Sequence, residues 1–112
     1  TAYSSAVSSD IRLKENIKPL ENNLDKILGL KPSSFTWKVR DKQDDVGLIA
    51  QEVESVIPMI VKENISIGKT KKFLGGDTHK TVDYSKLTTY LIGAIQEQQK
   101  QIDELKKKLE EL

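Results

Sequence analysis

Cysteine is missing from all 112 residues, which excludes a disulfide framework and a thiolate metal site together. An excess of either charge is missing as well. The 18 basic and 17 acidic residues leave a net charge of +1, so no global field draws nucleic acid or an anionic membrane. No apolar run approaches the roughly 18 residues of a membrane span. The opening "TAYSSAVSS" has neither the basic n-region nor the long apolar stretch of a signal peptide, and the chain reads as soluble. Histidine occurs once, at His79 in a glycine-rich polar stretch, where a metal site would want three or four ligands; no metal and no cofactor is expected. What remains is 37% apolar content, enough at this length for one small core and not for two. Beginning without methionine and in mid-phrase, the chain reads as a piece of a longer protein.

Ile11 and Leu13 alternate with Asp10, Arg12 and Lys14, a period of two that predicts a half-buried strand entered at Ser9. In "PLENNLDKILGLKP", Leu20, Leu24, Ile27 and Leu28 recur at helical spacing between Pro19 and Gly29, predicting a short amphipathic helix. "FTWKV" alternates Phe35, Trp37 and Val39 as a strand would, with Phe35 and Trp37 expected in the core and the following polar turn holding Asp44 and Asp45. "VGLIAQEVESVIP" reads as a short buried run, Val46 to Ile49, and then a helical phrase with Val53, Val56 and Ile57 on one face, closed by Pro58. "MIVKENISIG" suggests a hairpin, and "GKTKKFLGGDTHK", with its glycines and lysines, a solvated loop.

From about Tyr84 to Leu112 there is no proline, and two series of residues recur every seven positions. Ile95, Ile102 and Leu109 take a positions and Leu91, Gln98, Leu105 and Leu112 take d positions of one heptad frame. The pattern predicts a supercoiled helix roughly 40 Å long at 1.5 Å per residue. Such a seam needs partner helices, because "EQQKQIDELKKKLEEL" is only marginally helical by itself in water. Mixed isoleucine and leucine at a and d leave dimer and trimer both open, and polar Gln98 at d can select register at some expense of stability.

Ser9 and Lys14 are the one pair with nucleophilic chemistry in reach. In a Ser–Lys pair the hydroxyl attacks a carbonyl while a neutral lysine takes its proton. A free lysine titrates near 10.4, and lowering that by ~3 units costs about 4 kcal/mol of differential desolvation, which burial must supply. Residues five apart point to opposite faces of a strand and lie well round from one another on a helix, so no regular element pairs them. Either the chain turns sharply after Ser9, or the lysine of one subunit serves the serine of another. Local pattern alone favours ordinary surface residues.

Three phrases in order, "SDIRLKENI" (9–17), "VGLIAQEVESVIP" (46–58) and "TVDYSKLTTYLIGAIQEQQKQIDEL" (81–105), shift that balance. They resemble the self-cleaving intramolecular chaperone domain, the S74 peptidase family, at the carboxyl end of phage tailspikes, tail fibres and neck appendages. The resemblance implies an α+β fold, a small mixed globular part followed by a long C-terminal helix in a homotrimeric coiled coil. It implies that three copies assemble in the host cytoplasm, assist folding of the preceding β-rich fibre of the same polypeptide, and cut themselves off it. Carried onto this chain, Ser9 is the nucleophile, Lys14 the general base and Ser8–Ser9 the scissile bond; Ser8 is a rival, but only Ser9 directly precedes the aspartate. Residues 1–8 would then be fibre tail, 9–83 the globular chaperone and autoprotease part, and 84–112 the coiled-coil helix. Leu91, Ile95, Gln98, Ile102, Leu105 and Leu109 would form the trimer seam. The competing expectation is a trimerisation cap without enzymatic activity that stays attached.

Overall fold

Pro58 stops one helix, Gly29 and Gly75 end two others, and between these breaks the described residues make nine short elements and one long one. The computed structural model describes residues 6–112, so Thr1 to Ser5 of the expected fibre tail lie outside the described residues. After an extended arm with one 3-10 turn at Ile11–Leu13 come α1 (Asn23–Leu28), β1 (Ser33–Thr36), β2 (Asp44–Gly47), α2 (Ala50–Glu54), a second 3-10 turn at Pro58–Ile60, β3 (Val61–Ile65), α3 (Gly68–Leu74), β4 (Thr78–Val82) and α4 (Tyr84–Glu110). Helix and strand are mixed and the strands form two separate antiparallel ribbons, an α+β arrangement.

The first ribbon pairs Ser33 with Gly47 through Thr36 with Asp44, and Trp37 N donates to Gln43 O at 2.9 Å. Asp44 and Asp45, expected in the turn, therefore lie on β2. Asp41 and Lys42 make the turn in the left-handed region, φ 50° and 53°, as a tight hairpin requires. The second ribbon pairs Val61 with Val82 through Ile65 with Thr78. The hairpin expected over residues 59–68 is thus formed with a strand further along the chain, and the intervening segment is not a loop. It folds as α3, with Gly68 at φ 58° and Gly75 at φ 70°, so the glycines that suggested a loop serve as helix-end residues.

The core is small. Val53 and Ile57 of the α2 phrase, Ile60 of the second 3-10 turn, and Leu87 and Tyr90 of α4 are buried together. Complete burial of an aliphatic side chain contributes about 2 kcal/mol. Of the run from Val46 to Ile49, Leu48 packs partly buried against this core, whereas Val46 is 75% exposed and Ile49 38%.

Helix α4 has two faces. Leu87, Tyr90 and Ala94 face the core, whereas the heptad residues Leu91, Ile95, Ile102, Leu105 and Leu109 face solvent; the two stripes lie about a quarter of a turn apart. Helix α1 packs on the first half of α4 and takes its cap from it. Asn22 is left-handed at φ 60° and offers no side-chain cap. Instead Asn23 N donates to Glu97 Oε2 at 2.9 Å and Leu24 N to Glu97 Oε1 at 3.3 Å. Buried Asn23 lies flat against Gly93, where a methyl group would overlap its carboxamide. Gly93→Ala should therefore cost about 1–3 kcal/mol of stability by overpacking, read as a lowered thermal midpoint.

Burial pulls the Glu97 carboxyl upward, but the donors from Asn23 and Leu24, with Lys26 nearby, outweigh it and hold the group below its ordinary 4.5. A depressed carboxylate stabilises the folded state fully above its unfolded value and loses that contribution as pH falls through the folded one. The α1–α4 dock should therefore weaken on acidification below pH 4.5. In Glu97→Gln the acid-induced drop in thermal midpoint between pH 7 and about pH 3.5 should shrink; an unchanged drop would place the acid-sensitive group elsewhere.

The whole chain exposes 9753 Å². A compact monomer of 12.6 kDa exposes about 6,200 Å². The radius of gyration, 18.9 Å, likewise exceeds the roughly 13 Å of a compact chain this long.

Candidate active site

The arm does not form the strand that its alternation predicts. Asp10 competes for the backbone: its Oδ1 accepts from Arg12 N at 2.9 Å, and its carboxylate also takes Arg12 Nε at 3.1 Å and Nη2 at 2.8 Å. A short acidic side chain that satisfies the amide two residues on favours a turn over a ladder. Leu13 N then donates to Asp10 O and Lys14 N to Ile11 O, closing one 3-10 turn. The Arg12 guanidinium, and after it the Arg12 amide, hold the Asp10 carboxyl below its ordinary value of 3.8, so the clasp stays closed at neutral pH.

The turn solves the spacing problem within one chain. Lys14 Nζ lies 2.7 Å from Ser9 Oγ and donates to it. With the amine neutral, the same contact runs the other way and the hydroxyl proton passes to nitrogen. Ser8, the carbonyl-bearing neighbour, is exposed beside it, as is every residue from Ala6 to Leu20. Water reaches the pair freely in the single chain.

Other predicted positions scatter. The heptad residues Leu91 to Leu109 lie on α4 on the face turned away from the core. His79 belongs to β4, not to a loop, and its Nδ1 lies 2.8 Å from Ser66 Oγ. Ser66 is buried and its amide donates to Asp77 O, so this second hydroxyl–imidazole contact ties the ends of β3 and β4 together and is closed to substrate. Among the described residues no group of three or more His, Cys, Asp or Glu side chains is placed to hold a metal ion, and no helix is long and apolar enough to cross a membrane.

Phe35 and Trp37 correct the sequence reading in an informative way. They meet edge to face at 5.0 Å, with Arg40 over the Trp37 ring at 4.1 Å, but they are only half-buried. With Val46, Leu48 and Tyr84 they line an open groove of about 820 Å³ between the two ribbons. Tyr84 Oη accepts from Leu48 N at 2.9 Å, a contact that needs Gly47, since a Cβ there would sit 2.8 Å from the hydroxyl. Apolar alternation marked these residues, but it could not tell an inner wall from an open one.

A serine hydroxyl thus lies within hydrogen-bond reach of a lysine amine on one turn, ahead of a small α+β body whose long helix carries an exposed heptad stripe. Residues 9–62 match the model of the peptidase S74 family, described as chaperone of endosialidase. The match takes in Ser9 and Lys14. The chain is 36% identical over 115 residues to a long tail fiber protein Gp37 of Salmonella phage S16, covering 95% of this chain and 14% of that protein. It is 36% identical to the Gp37 of Enterobacteria phage M1, covering 89% of this chain and 39% of the relative, and 30% identical to that of phage K3, covering 92% and 8%. The chain thus spans well under half the length of these relatives.

Proposed function

We propose that the chain is an intramolecular chaperone that forms homotrimers, assists folding of a preceding phage tail fibre, and then releases itself by cutting between Ser8 and Ser9. The observation that carries the chemistry is the 2.7 Å contact between Lys14 Nζ and Ser9 Oγ. Neutral Lys14 takes the Ser9 hydroxyl proton as Oγ attacks the Ser8 carbonyl carbon. Breaking the C–N bond, with return of that proton to nitrogen, leaves the Ser8 acyl group as an ester on Oγ and a free Ser9 amine. Water then hydrolyses the ester, giving a Ser8 carboxylate and restoring the hydroxyl.

Association supplies what the single chain lacks. Its surface exceeds that of a compact monomer by about 3,500 Å², within the range that obligate interfaces bury. The Leu91, Ile95, Gln98, Ile102, Leu105 and Leu109 stripe would form the axis. On this reading residues 1–8 are fibre tail, 9–83 the working body and 84–112 the trimer helix. Holding three fibre strands together raises their effective concentration, which matters because non-local β pairing is slow and exposes edges to aggregation. Departure of the domain afterwards leaves the fibre, destined for the virion, kinetically trapped.

Intact-mass measurement after expression behind the upstream fibre segment tests this. A product beginning at Ser9, absent in Ser9→Ala, is expected; uncut wild-type chains in well-formed trimers would instead mean a passive cap.

A further inference from the structure

The segment that carries Ser9 and Lys14 also carries five exposed apolar side chains. Val7, Ile11, Leu13, Ile17 and Leu20 are between 45% and 76% exposed. Several large apolar side chains left exposed on one short segment suggest a contact site. The same chain holds a groove that fits the description of its complement, walled by Phe35, Trp37, Val46, Leu48 and Tyr84 and still open at about 820 Å³ with the arm of its own chain in place. We propose that the arm of one copy, Ser9 to Ile17, docks in the groove between the ribbons of a second copy, and that the cleavage site is complete only across this contact. This rests on the autoproteolytic reading above and adds to it a second interface besides the helical seam.

Area supports a copy of this chain as the occupant. The surface in excess of a compact monomer is about 3,500 Å², against the ~800 Å² each partner contributes to a standard interface. A seam of one helical stripe leaves most of that uncovered. The arm and the groove are two apolar surfaces of the working body outside the seam, beside the exposed Ile65, Ile67, Phe73 and Leu74 around α3, and a cyclic trimer would pair each arm with the next groove, closing the ring.

The groove also has the chemistry the dyad needs. Its wall is aromatic and aliphatic, and Arg40 stands in it as a cation over the Trp37 ring, whereas the Lys80 ammonium is paired with the Glu54 carboxylate. Desolvation and neighbouring positive charge both favour a neutral amine over an ammonium. The opposing charge, Asp45, is already engaged: its carboxylate accepts from Trp37 Nε1 at 3.0 Å and from Val46 N at 2.8 Å. Lys14 would thus leave water for a site that disfavours its proton, while its contact with Ser9 stays within one turn.

Val46→Glu tests this, since Val46 is exposed in the single chain and its replacement leaves the core alone. Trimers of Val46→Glu should cut at least 100-fold more slowly than wild type. Mixed trimers with Ser9→Ala chains, which have an intact groove and no nucleophile, should restore cutting of the Val46→Glu chains. Wild-type cutting rates in Val46→Glu homotrimers, or no restoration in mixed trimers, overturn the docking while leaving self-cleavage standing; absence of cutting in wild-type trimers overturns self-cleavage instead. A second measurement needs no scission. Benzophenone-alanine at Leu13 in a Ser9→Ala background, assembled from ¹⁵N-labelled and unlabelled chains, should give photo-crosslinks to the groove joining unlike chains. Crosslinks within one chain only, or none to the groove, overturn the proposal.

Discussion

Ile102→Asp should abolish both the proposed assembly and the proposed release of the domain. Ile102 sits in the projecting half of α4, past the buried Leu87, Tyr90 and Ala94, so the single-chain core does not use it. In a three-stranded seam the change removes three isoleucines from the axis, each contributing about 2 kcal/mol by burial. It brings three carboxylates into contact, where each unpaired buried charge costs several kcal/mol more. The segment "EQQKQIDELKKKLEEL" has little helical stability of its own to offset that. Sedimentation should show monomers at concentrations where wild type sediments as the proposed trimer. Intact mass should show scission reduced by at least ~10²-fold, the factor expected when a positioned general base is lost. The circular dichroism of the globular body should persist.

Lys14→Arg is the second large effect. Arginine keeps the charge, most of the length and the ability to donate to Ser9 Oγ, so a lysine with a purely structural role would tolerate it. It cannot act as a base, because the guanidinium stays protonated throughout the accessible pH range. Loss of general-base catalysis is worth about 10²–10⁴ in rate. Trimers should form normally and remain uncut over times in which wild type is fully processed. Normal processing in this variant would remove Lys14 from the chemistry.

How much of this was legible beforehand depended on how local the deciding interaction is. Gly29 after α1, Pro58 after the α2 phrase and the unbroken heptads of α4 are signals contained within a turn or a repeat, and the corresponding elements formed. The 3-10 turn at Ile11–Leu13 was missed because period-two alternation says nothing of a side chain competing for its own backbone. Asp10 does so through Arg12 N, and that competition brings Ser9 and Lys14 together. The partner of β3 was missed because it lies beyond α3, and pairing across an inserted helix leaves no short-range mark. The expected burial of Phe35, Trp37 and Val46 failed for a different reason. Their apolar character is real, but in the single chain they wall a groove, and sequence alone does not distinguish a residue that waits for another subunit from one that meets its neighbours in its own.

The contact between Ser9 and Lys14 is present in the single chain, whereas shelter from water is not. Separation of freshly expressed chain with its upstream segment into monomer and trimer fractions, each followed by intact mass over time, tests that division most directly. A new amino terminus at Ser9 that accumulates only in the trimer fraction is the expected result. The same product appearing at a comparable rate in isolated monomers would contradict it.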